Sequence, residues 1–317
     1  MTRIVILDDW DRAFADSPQR ATLEQLGGLT IYTDRVSDSA ETIARLQEAD
    51  IAILIRERTW LDRQMLMQLS NLRFIAQTGG GAAHIDHQAR EEMGINIAYT
   101  PGSSRQSVVE LTFGLAIAGL REITSHDLAM HKGEWPQRMG RTLRGKTLSI
   151  IGFGKIGSAL VPAAQVFGMN VVGWGRESSR VRAQELGVEF TPDLETAFQR
   201  GDVVSINLGL NDSTRGLITS DHLAAMRSGS MLINTSRGAI IDETALISRL
   251  QRGDIIAALD VFHEEPLPVI HPLRTLDNVI LTPHIGWITD DNYENVVRMC
   301  IGNIQVHLAG TDQTSSS

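Results

Sequence analysis

Short runs of isoleucine, valine and alanine alternate with longer segments of helical periodicity along almost the whole chain. Several of these runs are apolar without interruption, which is typical of parallel strands whose two faces are both covered by helices. Strands are predicted at residues 4–7, 51–55, 74–77, 95–98, 147–151, 170–174, 203–207, 231–234, 256–259 and 279–282. The alternation predicts βαβ units, and therefore an α/β fold built on parallel sheets.

Length and charge narrow the class of protein further. The chain has 317 residues, which at about 150 residues per domain predicts two domains. It carries 29 Lys+Arg against 38 Asp+Glu, so that the formal net charge is −9. A surface for nucleic acid or for an anionic membrane needs clustered basic residues, so neither partner is expected.

A single cysteine, Cys300, excludes an intramolecular disulfide, and a reducing cytoplasm is the expected compartment. The N-terminus lacks the long apolar region of a signal peptide. The longest apolar stretch without a charge is 111–120, far shorter than the roughly 20 residues that a membrane-spanning helix needs. No membrane segment and no metal site are predicted.

A glycine pattern follows the predicted strand at 147–151. Gly152, Gly154 and Gly157 form GxGxxG, and a helix is predicted at 158–167. A lone pattern of this kind also occurs in ordinary turns, but the strand before it and the helix after it supply the context of a dinucleotide fingerprint. The glycines are therefore expected to let a pyrophosphate approach the N–H groups of the helix N-terminus.

The next predicted strand leaves the choice between NAD(H) and NADP(H) open. An acidic residue that grips the adenosine ribose is expected about 20 residues past the glycines, and Gly175 stands there. Arg176 and Arg180 would suit a 2′-phosphate, although Arg180 can equally be an exposed, solvated charge. Glu177 lies close enough in sequence to serve as the ribose-binding acid instead.

Three polar residues each follow the end of an apolar strand. Arg237 comes after 231–234, Glu265 after 256–259 and His284 after 279–282. Ligands of open α/β sheets bind outside the carboxyl ends of strands, so these side chains are expected to converge. A cation that forks onto a carboxylate, an imidazole that exchanges a proton and a carboxylate that orients the imidazole suit a dehydrogenase of oxo or hydroxy acids.

Several stretches together resemble one family, the D-isomer-specific 2-hydroxyacid dehydrogenases. The matching stretches are 79–81 with Ile85 and Asp86, 143–157, 234–238, 258–262 with Glu265 and Pro266, and 282–286. They occur in the family's order between about residues 50 and 310. The resemblance implies that Arg237 binds the substrate carboxylate and carbonyl, that His284 is the acid/base, and that Glu265 holds and tunes His284.

The resemblance also implies the ligand contacts. Backbone N–H groups of Gly79, Gly80 and Gly81 would receive the substrate carboxylate, which is physically reasonable for an anion nest. Lys155 and Ile156 would lie on the pyrophosphate, and Asp260 would bind the nicotinamide carboxamide. The other residues expected to line the cofactor are Gly209, Thr214, Thr235 and Gly286.

The family's organisation implies two Rossmann-like domains with parallel sheets. A nucleotide-binding domain at 103–285 would be inserted into a flavodoxin-like substrate domain formed by 1–102 and 286–317, and the protein would be a homodimer. The expected reaction is hydride transfer between NAD(P)(H) and C2 of a small D-2-hydroxy or 2-oxo acid. A 3-phosphoglycerate-type or sugar-acid dehydrogenase is the alternative, and a dinucleotide-sensing scaffold without turnover is a lesser one.

Overall fold

The computed structural model of the protein describes residues 1–36, 38–101 and 105–314, with side chains as far as residue 310. The chain forms two compact units: Met1–Ser103 with Ile288–Ser317 is unit 1, and Ser104–Trp287 is unit 2. Residues 102 and 103, where the sequence predicts the first domain boundary, lie outside the described residues. Unit 2 is thus inserted into the chain of unit 1.

Unit 1 contains one parallel sheet. Its strands are β1 (Arg3–Ile6), β2 (Gly28–Ile31), β3 (Ile51–Leu54), β4 (Phe74–Gln77) and β5 (Asn96–Tyr99). Its helices are α1 (Arg20–Glu24), α2 (Ser39–Leu46), α3 (Arg63–Leu66), α4 (His87–Glu92) and a C-terminal helix (Asp290–Thr314). The strand order β2-β1-β3-β4-β5 is that of flavodoxin-like folds.

Unit 2 contains a larger parallel sheet. Its strands are β6 (Thr147–Ile151), β7 (Asn170–Trp174), β8 (Glu189–Phe190), β9 (Val203–Ile206), β10 (Met231–Asn234), β11 (Ile256–Leu259) and β12 (Val279–Leu281). Its helices are α5 (Arg105–Leu120), α6 (Ile123–His131), α7 (Lys155–Val166), α8 (Arg180–Glu185), α9 (Leu194–Arg200), α10 (Ser220–Ala225) and α11 (Glu243–Gln251). The strand order β12-β11-β10-β9-β6-β7-β8 reverses direction between β9 and β6, where doubly wound sheets bind their ligands.

The apolar runs of the strands fill the core on both faces of the unit 2 sheet. Leu148 and Ile150 of β6 belong to one buried cluster, whereas Ile151 belongs to the cluster on the opposite face. On β10, Ile233 and Leu232 divide between the two clusters in the same way. Because successive side chains of a strand point to opposite faces, an uninterrupted apolar run is needed when helices cover both.

All of the predicted strands are present, each within one residue of its predicted ends, and the α/β fold with parallel sheets is confirmed. Two strands were missed, β2 and β8. Both lie at the edge of a sheet and are partly exposed, so their sequences carry little apolar pattern. The helix predicted at 158–167 is α7, which begins earlier because Gly154 already serves as its N-cap.

None of the helices in the described part of the chain is both long enough and apolar enough to cross a membrane. Within the same residues, no cluster of three or more histidine, cysteine or acidic side chains could hold a metal ion.

Candidate active site

The glycine turn between β6 and α7 is closely packed at two of its three glycines. A Cβ atom on Gly157 would lie 2.2 Å from the carbonyl oxygen of Gly152, and one on Gly152 would lie 2.5 Å from the oxygen of Asn207. Gly152 also has a φ of +99°, which side chains disfavour. Gly154 has open space around its Cα atom, so this part of the turn presents bare backbone to a ligand.

The N-terminus of α7 differs from those of five other helices. Asp38, Asp62, Asp86, Asp193 and Asp242 each cap a helix by accepting a hydrogen bond from the third residue beyond. The N-cap of α7 is Gly154, which has no side chain to accept one. The first N–H groups of α7 and the positive end of its dipole are therefore available to an anion such as pyrophosphate.

After the end of β7, two of the three charged residues, Glu177 and Arg180, form an ion pair. Nε of Arg180 lies 2.8 Å from Oε1 of Glu177, and the Arg180 guanidinium lies over the Phe190 ring. Arg176 is exposed, and no partner of its side chain occurs among the described residues. A Cβ atom on Gly175 would lie 3.1 Å from the backbone nitrogen of Phe153, so there is little room for an acidic side chain beside the glycine turn.

The catalytic candidates of unit 2 come together at the carboxyl ends of β10, β11 and β12. Nδ1 of His284 lies 2.6 Å from Oε2 of Glu265, and these side chains are 25% and 35% exposed. Oε1 of Glu265 accepts a hydrogen bond of 2.9 Å from the backbone N–H of Phe262. Because both carboxylate oxygens have partners, the carboxylate is held in one orientation toward the imidazole.

Charge also links Arg237 to this pair. Burial alone would raise the pKa of Glu265, but the hydrogen bonds from His284 and Phe262 and the positive charges of His284 and Arg237 outweigh it and hold that pKa below its usual value.

Asn234 accepts a hydrogen bond from the Ser236 N–H and donates one to the Arg237 oxygen, each of 3.0 Å. The turn that carries Arg237 is thus closed by a buried side chain.

His284 is presented by a strained turn. Its φ is +55°, a conformation that costs a non-glycine residue on the order of 1–3 kcal/mol and that is often found at functional sites. Asp260, which is fully buried, accepts hydrogen bonds from the hydroxyl of Thr282 and from the N–H groups of Ile285 and Gly286. Burial raises the pKa of Asp260, and these bonds oppose the rise. The carboxylate therefore grips the chain on both sides of His284.

The remaining cofactor candidates differ in how they are engaged. The hydroxyl of Thr214 is used within its own loop, because it donates to the Gly209 oxygen and accepts from the Asn211 N–H. The hydroxyl of Thr235 is buried and has no partner in the described part of the chain. Its position after β10 and its unsatisfied hydroxyl suit a ligand-facing group.

Sequence reasoning missed Asn207, which follows β9 at the reversal of strand order. Its Nδ2 atom donates to Ser205, but its Oδ1 atom is buried without a partner among the described residues. A polar residue directly after an apolar strand was the signal that could have found it. Together with the hydroxyl of Thr235 and the bare N-terminus of α7, this acceptor makes the edge of the sheet a fitting site for a dinucleotide.

The predicted carboxylate nest, Gly79 to Gly81, belongs to unit 1 and follows β4. Gly79 has a φ of +91°, and a Cβ atom there would lie 2.6 Å from Nη1 of Arg56. Arg56 was missed, although it follows β3 as the other candidates follow their strands. Its φ is +53°, and its N–H donates to the hydroxyl of Thr78 at 2.8 Å. Unit 1 therefore holds a guanidinium against the glycine loop.

Comparison with known proteins gives the class and the family. Residues 113–286, more than half of the chain, match the model of the family described as D-isomer specific 2-hydroxyacid dehydrogenase, NAD binding domain. The protein is by class a nicotinamide-dinucleotide-dependent oxidoreductase. It belongs to the D-isomer-specific 2-hydroxyacid dehydrogenases. The predicted family, the class of enzyme and the cofactor, NAD(H) or NADP(H), are thereby confirmed.

Three similar proteins illustrate the range of the family. The chain is 37% identical over 279 residues to a glyoxylate reductase of Aeropyrum pernix, covering 84% of this chain and 82% of that protein. It is also 37% identical over 272 residues to a D-3-phosphoglycerate dehydrogenase of Methanocaldococcus jannaschii, but spans only 51% of its length. A crystal structure of a putative D-3-phosphoglycerate dehydrogenase from Ralstonia solanacearum superimposes with a TM-score of 0.91 at 34% identity, over 98% of this chain and 95% of the other.

Proposed function

We propose that the protein transfers a hydride between a nicotinamide dinucleotide and C2 of a small D-2-hydroxy or 2-oxo acid, with Arg237, Glu265 and His284 as the catalytic residues. The observation that carries this proposal is the contact of 2.6 Å between Nδ1 of His284 and Oε2 of Glu265. Because Nδ1 is bonded to Glu265, Nε2 is the ring nitrogen that exchanges a proton with the substrate.

The three side chains have separate tasks in the reduction of a 2-oxo acid. Arg237 forks onto the substrate carboxylate and polarises the carbonyl group. Protonated His284 donates a proton from Nε2 to the carbonyl oxygen, and Glu265 stabilises the imidazolium and fixes the N–H on Nδ1. When bound, the reduced dinucleotide would supply the hydride to C2, and the oxidised dinucleotide would accept it in the reverse reaction. In the oxidation of a hydroxy acid, neutral His284 takes the proton back.

The dinucleotide itself is proposed to lie along the carboxyl edge of the unit 2 sheet. Gly152, Gly154 and Gly157 would let its pyrophosphate reach the N-terminus of α7, beside Lys155 and Ile156. The other proposed contacts follow β9, β10, β11 and β12, namely Gly209, Thr214, Thr235, Asp260 and Gly286. Unit 2 would therefore bind the cofactor, and unit 1 would bind the substrate on Gly79, Gly80 and Gly81.

NADP(H) is the proposed preference between the two dinucleotides. Glu177, the alternative ribose-binding acid, is paired with Arg180, whereas the charge of Arg176 is exposed. An arginine can hold a phosphate with charge-assisted hydrogen bonds. Position 175 is a glycine, so no carboxylate there repels the phosphate. Arg176 is therefore the proposed ligand of the 2′-phosphate, and Arg180 is assigned to neutralising Glu177.

One observation favours the 3-phosphoglycerate-type alternative, whose substrate carries a second anionic group. The Arg56 guanidinium lies against Gly79, where the substrate carboxylate is proposed to bind. A cation at that point adds to the positive potential that a substrate with a second negative charge would meet, and Glu57, whose Oε2 lies 3.8 Å from Nε of Arg56, offsets part of it. The simple 2-oxo acids remain the first proposal, because the proposed catalytic set requires no second anion.

A homodimer in a reducing cytoplasm is proposed as the form and location of the enzyme. Five large apolar side chains on α6 and the segment after it are exposed: Ile123, Leu128, Met130, Trp135 and Met139. Such a concentration is typical of an interface. The sole cysteine is buried, which is compatible with a reducing compartment. Light scattering after gel filtration would give a dimeric mass if the first of these proposals is right.

A panel of 2-oxo acids assayed separately with NADH and NADPH tests the proposed function. Glyoxylate, hydroxypyruvate, phenylpyruvate and phosphohydroxypyruvate cover the simple and the doubly anionic substrates. Turnover with one of them, faster with NADPH, is the expected result. Tight dinucleotide binding without turnover on any acid would instead indicate a sensing scaffold, and a preference for NADH would overturn the assignment of Arg176.

A further inference from the structure

We propose that His263 is a positioning residue, which clamps the loop of Glu265 to the loop of Arg237 and thereby sets the distance between these two catalytic residues. The proposal rests on the proposed function for the roles of Arg237 and Glu265. Its structural basis is two contacts between the segments 238–241 and 262–265 of unit 2. Neither contact takes part in the reaction itself.

The first contact is backbone against backbone. Gly238 follows Arg237 directly, and a Cβ atom on Gly238 would lie 2.1 Å from the carbonyl carbon of Phe262 and 2.5 Å from the nitrogen of His263. Phe262 donates its N–H to Oε1 of Glu265. Gly238, next to Arg237, therefore packs against Phe262, whose N–H holds Glu265. The two catalytic residues themselves are 28 positions apart in sequence.

The second contact is made by a side chain. Nε2 of His263 lies 2.8 Å from the carbonyl oxygen of Ile241, and a ring nitrogen at that distance from a carbonyl must donate its N–H. The neutral tautomer with its hydrogen on Nε2 and the imidazolium can both make this bond. The imidazole thus joins the far end of the 238–241 segment to the start of the loop that bears Glu265.

The 238–241 segment is itself fixed from its other side, so it can act as an anchor. Ile218 donates its N–H to the oxygen of Ile240, and Asp242 donates its N–H to the oxygen of Ile218, at 3.0 and 2.9 Å. Ile241 is buried, and Asp242 caps α11. In the loop of Glu265, by contrast, the residues His263 and Glu264 are exposed, and the Glu265 side chain is 35% exposed. Phe262 and His284 also hold Glu265, but the bond from His263 and the contact at Gly238 tie its loop to the segment that follows Arg237.

The clamp acts on catalysis through Glu265. A carboxylate that drifts from its place lengthens the bond to His284 and changes its distance from Arg237 at the same time. Misplacement of this kind reduces turnover more than it reduces cofactor affinity, because the proton transfer depends on geometry. It also removes part of the hydrogen bonding that now favours the charged carboxylate.

Three variants separate the clamp from a general loss of stability. His263→Ala removes the donor, His263→Gln retains an amide N–H that can reach the Ile241 oxygen, and His222→Ala is the matched control. His222 is another imidazole of unit 2 bonded to the main chain, at Thr219, where it completes the cap of α10. The measurements are kcat and KM with NADPH and the best 2-oxo acid, and the dinucleotide Kd.

We expect His263→Ala to lower kcat about tenfold, which corresponds to the loss of one net hydrogen bond in the transition state. We expect His263→Gln to recover kcat to within about threefold of the original protein, a residual difference smaller than that bond. The dinucleotide Kd should stay the same in both. An unchanged kcat in His263→Ala, an equal loss in His263→Gln, or the same loss in His222→Ala would overturn the proposal.

A readout without turnover keeps this test independent of the proposed function. Carbon-13 NMR of the Glu265 carboxyl group, assigned with Glu265→Gln, should show its titration at higher pH in His263→Ala than in the original protein. If the original protein turns over no acid, the proposed function fails while this titration still tests the clamp. An identical titration in both proteins would show that His263 does not hold Glu265.

Discussion

Oδ2 of Asp260 lies 2.8 Å from the backbone nitrogen of Gly286, and Oδ1 of the same carboxylate accepts hydrogen bonds from Thr282 and Ile285. A residue placed by the family resemblance on the nicotinamide carboxamide thus also fastens the turn that presents His284. The second lone pair of Oδ2 leaves room for the proposed cofactor contact. One buried carboxylate can serve both the fold of the turn and the ligand.

Asp260→Asn is expected to destabilise the protein by about 1–3 kcal/mol, because an amide NH₂ group would face an N–H or O–H donor in a fully buried place. Urea unfolding at pH 7 measures the change. Asp16→Asn is the control, since Asp16 is exposed and its ion pair with Arg12 is at the surface. Equal stabilities of the two variants would contradict the role given to Asp260.

Glu265→Gln is expected to lower kcat about a hundredfold, within the range for a misoriented or wrongly protonated acid/base. The amide cannot stabilise the imidazolium of His284, although its shape is that of the original side chain. Steady-state kinetics over pH 5–9, with dinucleotide affinity as a check on folding, would measure this. A kcat within threefold of the original would remove Glu265 from the proposed mechanism.

Arg176→Ala is expected to lower kcat/KM with NADPH between about tenfold and a hundredfold, which is the effect of losing a charge-assisted hydrogen bond. The value with NADH should change little, because NADH has no 2′-phosphate. Arg252→Ala, which removes an exposed arginine of the same unit, is the control. A parallel loss with both cofactors would argue that Arg176 acts on folding or on the pyrophosphate.

Gly157→Ala is expected to abolish dinucleotide binding, because its methyl group would lie 2.2 Å from the Gly152 oxygen and force the turn apart. Fluorescence titration with NADPH detects the loss. Gly302→Ala supplies the matched control: it lies in the C-terminal helix with nothing within 4 Å of the new methyl group, and helix propensity predicts a gain of about 0.5–1 kcal/mol in stability. Normal NADPH binding by Gly157→Ala would contradict the fingerprint.

Burial raises the pKa of the Cys300 thiol to about 12. Between its usual pKa and this higher value, the folded protein binds a proton that the unfolded chain has released. The stability that the thiol contributes is therefore complete at neutral pH and is lost as the pH rises toward about 12. Urea unfolding of the original protein and of Cys300→Ala from pH 7 to pH 10 should show the difference between them shrinking. A constant difference would mean that the thiol titrates alike in both states.

The sequence was sufficient for those features that depend on local pattern. Uninterrupted apolar runs located the central strands, and the glycines between β6 and α7 located the turn that is proposed to bind the dinucleotide. The edge strands β2 and β8 escaped because an edge needs less apolar surface, and its residues then resemble those of loops. Arg56 and Asn207 follow strands as Arg237 and His284 do, but no stretch resembling the family drew attention to them.

Residue types and their order along the chain determined the parallel α/β fold, the family and the three proposed catalytic side chains, because strand periodicity and strand-end position are written locally. Only the tertiary structure decided which charges meet. It paired Glu177 with Arg180 and left Arg176 exposed, it set Arg56 against Gly79, and it tied His263 to Ile241. Such contacts depend on how separate loops pack at the edge of a sheet, which no single stretch of sequence specifies.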